Sequence, residues 1–350
     1  RSKAMMKMKN TLASAVMMAT GLVVAGETAA SIYAGSRLLV EDFSISTASD
    51  SGATIAPTTY QFRTTNTAQL NNGTAVVETD SCNGTFLGIT NCSSTTPVLD
   101  AAPADIDGSR VNNTFTYIGP GGSEYASSDS AIIDAQLVNP TSSTEISQIA
   151  EAEIQTGVQA FADSTITSQT DYAITIAATD SWNLVLDFDA NPDLLAAIND
   201  NEALTAQARA SIASSFTLSQ NTGGDAVVTW APQGSDGNNC IVSDPDSIGI
   251  ACVEDNDGED LNIQVSTATL PTDQQNFSRG AEDAGLSAFG ITITGLDAGE
   301  WSLSLSSTLT TDVTRTVGVP EPGMLALMGL GLSGLGLARL NATRRKKQMS

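Results

Sequence analysis

Histidine is absent from all 350 residues, and no lysine occurs between Lys9 and Lys346. The first absence removes Ser-His-Asp and Cys-His nucleophile systems together with histidine-based metal sites. The second removes Ser-Lys chemistry from the body of the chain. Basic residues of any kind are scarce there. Between Ser31 and Val319 the chain has Arg37, Arg63, Arg110, Arg209, Arg279 and Arg315 against 37 acidic residues, a net charge of −31. Such a surface repels phosphate backbones and anionic headgroups, so nucleic acid is excluded as a partner. Catalysis would have to rest on carboxylates, which are so abundant that no pair stands out. The chain reads as a protein that is not an enzyme.

Cysteine occurs four times, as Cys82 and Cys92, then Cys240 and Cys252. Four cysteines allow three connectivities. The short loops rich in Gly, Asn and Pro favour the two local pairs. In an oxidising compartment each bridge would contribute about 2–3 kcal/mol by restricting the unfolded chain. A zinc site is disfavoured, because no pair has the short Cys-x2–4-Cys spacing and no histidine can complete it.

What is present at the two ends is an address. Lys3, Lys7 and Lys9 precede an apolar stretch from Leu12 to Ala25 and small residues at Thr28-Ala29-Ala30. This is the pattern of a secretory signal peptide, residues 1–30, with cleavage expected after Ala30. At the other end Val319-Pro320-Glu321-Pro322 is followed by an apolar run, 323–340, and a basic tail, 341–350, containing Arg344, Arg345, Lys346 and Lys347. The run is short for a membrane span of roughly 20 residues, but snorkelling of Arg339 and the basic tail extends it. The basic cluster sets that end in the cytoplasm and the body on the opposite side.

The order of motif, apolar helix and basic tail closely resembles the PEP-CTERM sorting signal of Gram-negative bacteria, over about the last thirty residues. The resemblance implies that Pro320, Glu321 and Pro322 are recognised by a membrane-embedded, transpeptidase-like protease, the exosortase. The two prolines keep the motif extended and Glu321 offers a charge. Gly323 and the extension through Gln348-Met349-Ser350 depart from the ideal pattern. Within the body, Tyr33-Ala34-Gly35-Ser36-Arg37, Leu186-Asp187-Phe188-Asp189-Ala190 and Val228-Thr229-Trp230-Ala231-Pro232-Gln233-Gly234 resemble the EDSAP-type group of exported PEP-CTERM proteins. That group has no catalytic residues to carry over.

Between the addresses, residues 31–318, period-two alternation dominates. Ala206, Ala208, Ala210, Ile212, Phe216 and Leu218 form one apolar face, broken only by Ser214, and Gln207, Arg209, Ser211, Ser215 and Thr217 form the other. Trp182, Leu184, Leu186 and Phe188 repeat the phase, as do Ile291 with Ile293 and Trp301, Leu303 with Leu305. One-sided strands of this kind predict an all-β fold, an antiparallel β-sandwich of jelly-roll type, with a C-terminal transmembrane helix. The best-defined strands are expected over 140–315, with weaker ones before residue 139. Asn191-Pro192-Asp193 reads as a turn, and Leu194 to Ile198 as a short helix capped by Asp193.

Two features of the body invite a ligand. Asp255, Asp257 and Asp260 surround Gly258 and supply the hard oxygen ligands that calcium takes, without EF-hand spacing. No other cofactor is indicated. Trp230 sits at a strand end and is the one tryptophan placed to offer a sugar-stacking platform, whereas Trp182 and Trp301 share register with apolar neighbours; core packing is the favoured reading for all three. The leading expectation is an exported surface or matrix protein, made through Sec and signal peptidase, held in the inner membrane and then processed by an exosortase. Its destination would be the cell surface or an exopolysaccharide-rich biofilm matrix. The alternative is a calcium- or carbohydrate-binding β-sandwich module.

Overall fold

The computed structural model describes residues 31–316, apart from positions 56, 86–87, 90–97, 122, 134–143, 156–160, 200–204, 221–225, 235–237, 244–248, 269–273 and 278–284. Among the described residues the chain forms seventeen strands and no helix. They begin with β1 (Ser31–Ser49), β2 (Pro57–Leu70), β3 (Val76–Thr85), β4 (Gly88–Ile89), β5 (Val98–Ile106) and β6 (Tyr125–Ile133). The long middle strands are β7 (Thr144–Gln155), β8 (Phe161–Ala178), β9 (Trp182–Asn199) and β10 (Thr205–Gln220). Then come β11 (Ala226–Trp230), β12 (Cys240–Val242), β13 (Ala251–Asp257), β14 (Gln264–Ala268), β15 (Gln274–Phe277), β16 (Ser287–Leu296) and β17 (Gly299–Thr316).

The strands build two antiparallel sheets. The first has the order β13-β16-β9-β1-β7-β6-β5, with β15 also on β9. The second has the order β12-β11-β10-β17-β8-β2-β3-β4, with β14 also on β10. Strands β1 and β7 of the first pack on β10, β17 and β8 of the second, and their inner faces share one apolar core. The expected alternation is what places them. Leu184, Leu186, Ile212, Leu218, Ile291, Ile293, Leu303 and Leu309 are all buried, and Trp182 meets Trp301 edge to face at 6.0 Å.

Strands β1 to β6, the described part of the N-terminal region, complete this sandwich. Strand β1 lies at the centre of the first sheet, between β7 and β9, and runs beside β9 from Ser31 to Ser49. A bulge interrupts that register between Glu41 and Ser44, with Asp42 at φ 55°. This adds local twist to a strand far longer than the usual 3–10 residues.

The turn at 191–193 and the helix at 194–198 are corrected. Both segments lie inside β9, because period two continues unbroken through Ala190, Leu194, Ala196 and Ile198, all buried on the inner face. Pro192 is tolerated because β16 flanks β9 only as far as Ala190 and β15 only from Leu194. Among the described residues, 191–193 have a strand partner on the β1 side alone, so a residue without an N–H fits there.

The edges of the two sheets are tied together. Cys240 on β12 of the second sheet is disulfide-bonded to Cys252 on β13 of the first. Cys82 on β3 is also in a disulfide, and its expected partner, Cys92, lies outside the described residues. The loop closed by Cys240–Cys252 spans twelve residues. Replacing both cysteines by serine should therefore cost about 3 kcal/mol in a urea melt. An unchanged midpoint would show that the bridge adds nothing to the clasp.

Candidate functional site

The acidic segment flagged in the sequence sits at this clasped edge, and its carboxylates point in different directions. The Asp257 Oδ2 atom accepts the backbone N–H groups of Gln233 at 3.1 Å and Gly234 at 2.9 Å. Asp260 Oδ1 accepts the N–H of Asn262 at 2.7 Å. Asp255 lies on the outer face of the first sheet, where Thr292 Oγ1 donates to it and Asp187 is near enough for repulsion to help raise the Asp187 pKa. Among the described residues no three carboxylates come together to hold a metal ion. The Asp257 carboxylate ties the end of β13 to the segment that follows β11. It laces one sheet to the other.

Gly234 is part of that lacing. It has φ +68°, and a Cβ there would lie 2.2 Å from the Asp260 backbone nitrogen. Only glycine supplies both the left-handed backbone and the close approach. Trp230 is buried rather than a platform. Its indole N–H donates to Glu254 Oε1, and its ring packs 6.0 Å from Phe188. Glu254 Oε2 in turn accepts the N–H of Asn239 at 2.8 Å, so one carboxylate of β13 holds both Trp230 of β11 and the residue before β12 on the other sheet.

The densest group of titratable side chains lies elsewhere, on the outer face of the first sheet. Period two sends Tyr33, Gly35 and Arg37 of β1 outward, beside Glu151 and Glu153 of β7, Tyr125, Ser127 and Asp129 of β6 and Asp193 of β9. In an open sheet these positions would be wet. Here the strap between β5 and β6, residues 107–121, covers them, and Glu151, Glu153, Asp129 and Ser127 are fully buried. Its tight path is set by left-handed backbone at Asp107, Ser109, Asn113 and Gly119.

Arg110 is the centre of the cover. Its guanidinium lies 3.3 Å from Glu151, with side chains only 1% and 0% exposed. It donates through Nε to Ser127 Oγ at 2.6 Å and through Nη1 to the Thr114 carbonyl at 2.8 Å. Glu151 also accepts the N–H of Ile118 at 2.8 Å and the hydroxyl of Tyr125 at 2.9 Å. Glu153 accepts the N–H of Gly121 at 2.8 Å, and Asp129 accepts that of Asn113 at 2.9 Å. Three buried carboxylates thus hold the strap by its backbone.

A second ion pair borders the first. Arg37 and Asp193, opposite each other on β1 and β9, are 3.3 Å apart. Tyr117 of the strap donates its hydroxyl to the Asp193 carbonyl at 3.0 Å and lies with its ring 5.7 Å from the Arg37 guanidinium. Gly35 makes room for that ring, since a Cβ would fall 2.8 Å from Tyr117 Cε1 and 2.7 Å from the Tyr33 hydroxyl.

Burial dominates the electrostatics. It raises the Glu151 carboxyl above its ordinary value despite Arg110 and the donors that oppose the shift, and raises Asp193 despite Arg37. It pushes Asp129 up to about 6 and carries the phenols of Tyr33, Tyr117 and Tyr125 well upward. The Glu151 oxygens already accept donors, and the strap seals them from solvent. This geometry fixes a loop and leaves no reacting position at the carboxylate.

The expected signal peptide, residues 1–30, the expected sorting motif Val319 to Pro322, the apolar run 323–340 expected to be helical and the basic residues Arg344 to Lys347 all lie outside the described residues. Among the described residues no helix is long and apolar enough to cross a membrane. No protein-family profile matches the chain, and no curated protein matches it. The Gx strain of infectious bursal disease virus aligns with 87% of this chain and 87% of the viral one, at 10% identity and a TM-score of 0.08. The Gt strain aligns over 89% and 88%, at 9% identity and the same score. Likenesses at that score carry no argument.

Two outcomes follow from the cluster. Arg110→Ala leaves Glu151 buried without its cation, so it should cost about 3–5 kcal/mol in a urea melt and open the strap to proteolysis. Wild-type stability with an uncut strap would show that the ion pair does not hold it. The second concerns pH. Asp129 holds its proton to about 6 when folded, against an ordinary 3.8. Between those values the folded chain keeps a proton that the unfolded chain releases, so stability falls as pH rises. Glu151 and Asp193 act in the same direction. The thermal midpoint should decline from pH 4 to 6, less steeply in Asp129→Asn, and a midpoint that climbs across that window would contradict the buried-acid reading.

Proposed function

We propose that this chain is an exported, non-catalytic protein of the cell surface or extracellular matrix, sorted through a PEP-CTERM-type tail by an exosortase. The observation that carries the reading is the disulfide Cys240–Cys252, which joins the edge strands of the two sheets. Such bridges form and persist in oxidising compartments outside the cytoplasm.

The body between those addresses supports a structural role. Its buried acids are engaged by a strap, its tryptophans are core residues, and its acidic loop laces the edges. Its net charge of −31 resists adhesion to anionic membrane and suits a hydrated polysaccharide matrix. In this reading signal peptidase and the Sec machinery act first. The C-terminal helix then holds the precursor in the inner membrane until the exosortase cuts at or near Pro320-Glu321-Pro322.

Expression in a host with an active exosortase tests the proposal. Glu321→Ala, or deletion of Arg344 to Lys347, should leave the full-length precursor in the inner-membrane fraction on an immunoblot. Normal processing and surface delivery of both variants would remove the sorting claim.

A further inference from the structure

One interruption of the apolar alternation has no place in the reading above. On the inner face of β10 the series Ala210, Ile212, Ser214, Phe216, Leu218 is broken at Ser214, and on β17 the series Leu303, Leu305, Ser307, Leu309 is broken at Ser307. The register sets these two serines directly opposite each other. Their neighbours on either side, Ile212 with Leu309 and Phe216 with Leu305, are large. Two small residues side by side leave a gap, and an apolar-lined cavity of about 60 Å³ lies there.

The walls are apolar. Leu38, Val40 and Ile146 come from the first sheet, and Phe216 and Leu305 from the second. One end is closed by aromatic rings, Phe43 lying 5.4 Å from Phe188 and Trp230 6.0 Å from it. Among the described residues, Ser215 and Ser306 also border the cavity, and the inward-facing hydroxyls meet at Ser214 and Ser307. The Ser214 and Ser307 hydroxyls are 3.1 Å apart, and Gln148 Nε2 of the opposite sheet donates to the Ser307 carbonyl at 3.2 Å. A pair of hydroxyls bonded to each other uses one of its two protons, and the other is left to donate.

We propose that this cavity is a binding site for a small neutral aliphatic molecule bearing one oxygen, a two-carbon alcohol or aldehyde. The carbon chain lies among Leu38, Val40, Ile146 and Leu305, and the oxygen accepts a hydrogen bond from the Ser214–Ser307 pair. An apolar chamber with a single polar anchor is the usual form of a small-molecule pocket. The volume sets the size. A dry cavity of about 150 Å³ holds benzene, so this one takes roughly two or three heavy atoms. A charged ligand is excluded, because no described group in the lining could pair with it. The proposal does not depend on how the chain is sorted.

The purified protein titrated with ethanol, followed by methyl and amide NMR shifts, tests the site. A saturable response centred on Leu38, Ile146, Ser214, Leu305 and Ser307 is expected. Ser214→Leu fills the gap, so it should abolish the response and raise the thermal midpoint. Ser214→Ala with Ser307→Ala keeps the space but removes the anchor, and should weaken binding about five- to tenfold, the value of one hydrogen bond. If Ser214→Leu does not fold, the double alanine variant decides the question. Shifts that are linear and scattered over the surface, a response that survives Ser214→Leu, or equal affinity in the double alanine variant would overturn the proposal.

Discussion

The organising constraint is the burial of both faces of β1. From Ser31 to Leu38 every residue is buried, although alternate side chains point to opposite sides of the sheet. The inner side is covered by the second sheet. Among the described residues no third sheet covers the outer side, which carries charges and phenols beside Ile149. A single arginine from a loop therefore does what a helix layer does in other folds. Arg110 brings the strap down on Glu151, and the strap's own amides satisfy the neighbouring carboxylates. Removing acids from water is costly unless each finds donors. Supplying backbone N–H groups from one continuous segment meets that cost without adding cations to a chain that has few.

The distribution of the six body arginines follows from this. Arg37, Arg110 and Arg315 are buried, each on carboxylate or carbonyl oxygens. Arg63 and Arg209 stand on the outer face of the second sheet, and Arg279 lies outside the described residues. Three of the body's few cations thus serve the interior, and its acidic surface is left uncompensated. The buried arginines stabilise the fold and leave the exterior strongly anionic, two properties that otherwise pull against each other.

Much of the sandwich was legible in the sequence because period two is a local signal. Leu184, Leu186, Ile212, Leu303 and their like announced the inner faces without any knowledge of partners. The helix expected at Leu194 to Ile198 failed because five consecutive apolar residues look alike in either state, and the deciding fact was the neighbour, β1. The outer cluster was not legible for the same reason. Glu151 and Glu153 alternate with Ala150 and Ala152 as exposed strand residues do, and only the long-range arrival of Arg110 and Tyr117 buries them. Tyr33, Gly35 and Arg37 appeared in the sequence only as part of a resemblance, whereas in the fold they form the floor beneath Tyr117. Ser214 was visible as a break in a pattern, but its meaning needed the register with Ser307.

The position of β17 has a mechanical consequence. It is bonded along its whole length to β8 on one side and along nearly all of it to β10 on the other. Antiparallel bonds run perpendicular to the strands. A load applied to the chain beyond Thr316 pulls β17 along its own axis, so both ladders resist in shear and rupture together instead of unzipping one rung at a time. The opposite terminus is placed alike. Ser31 pairs with Gln155, whose carbonyl also accepts from Arg315 at 3.4 Å, so the two ends of the body leave from one corner. A molecule held through its C-terminal end would bear tension along its most firmly flanked strand, while the free corner beside it stays unloaded.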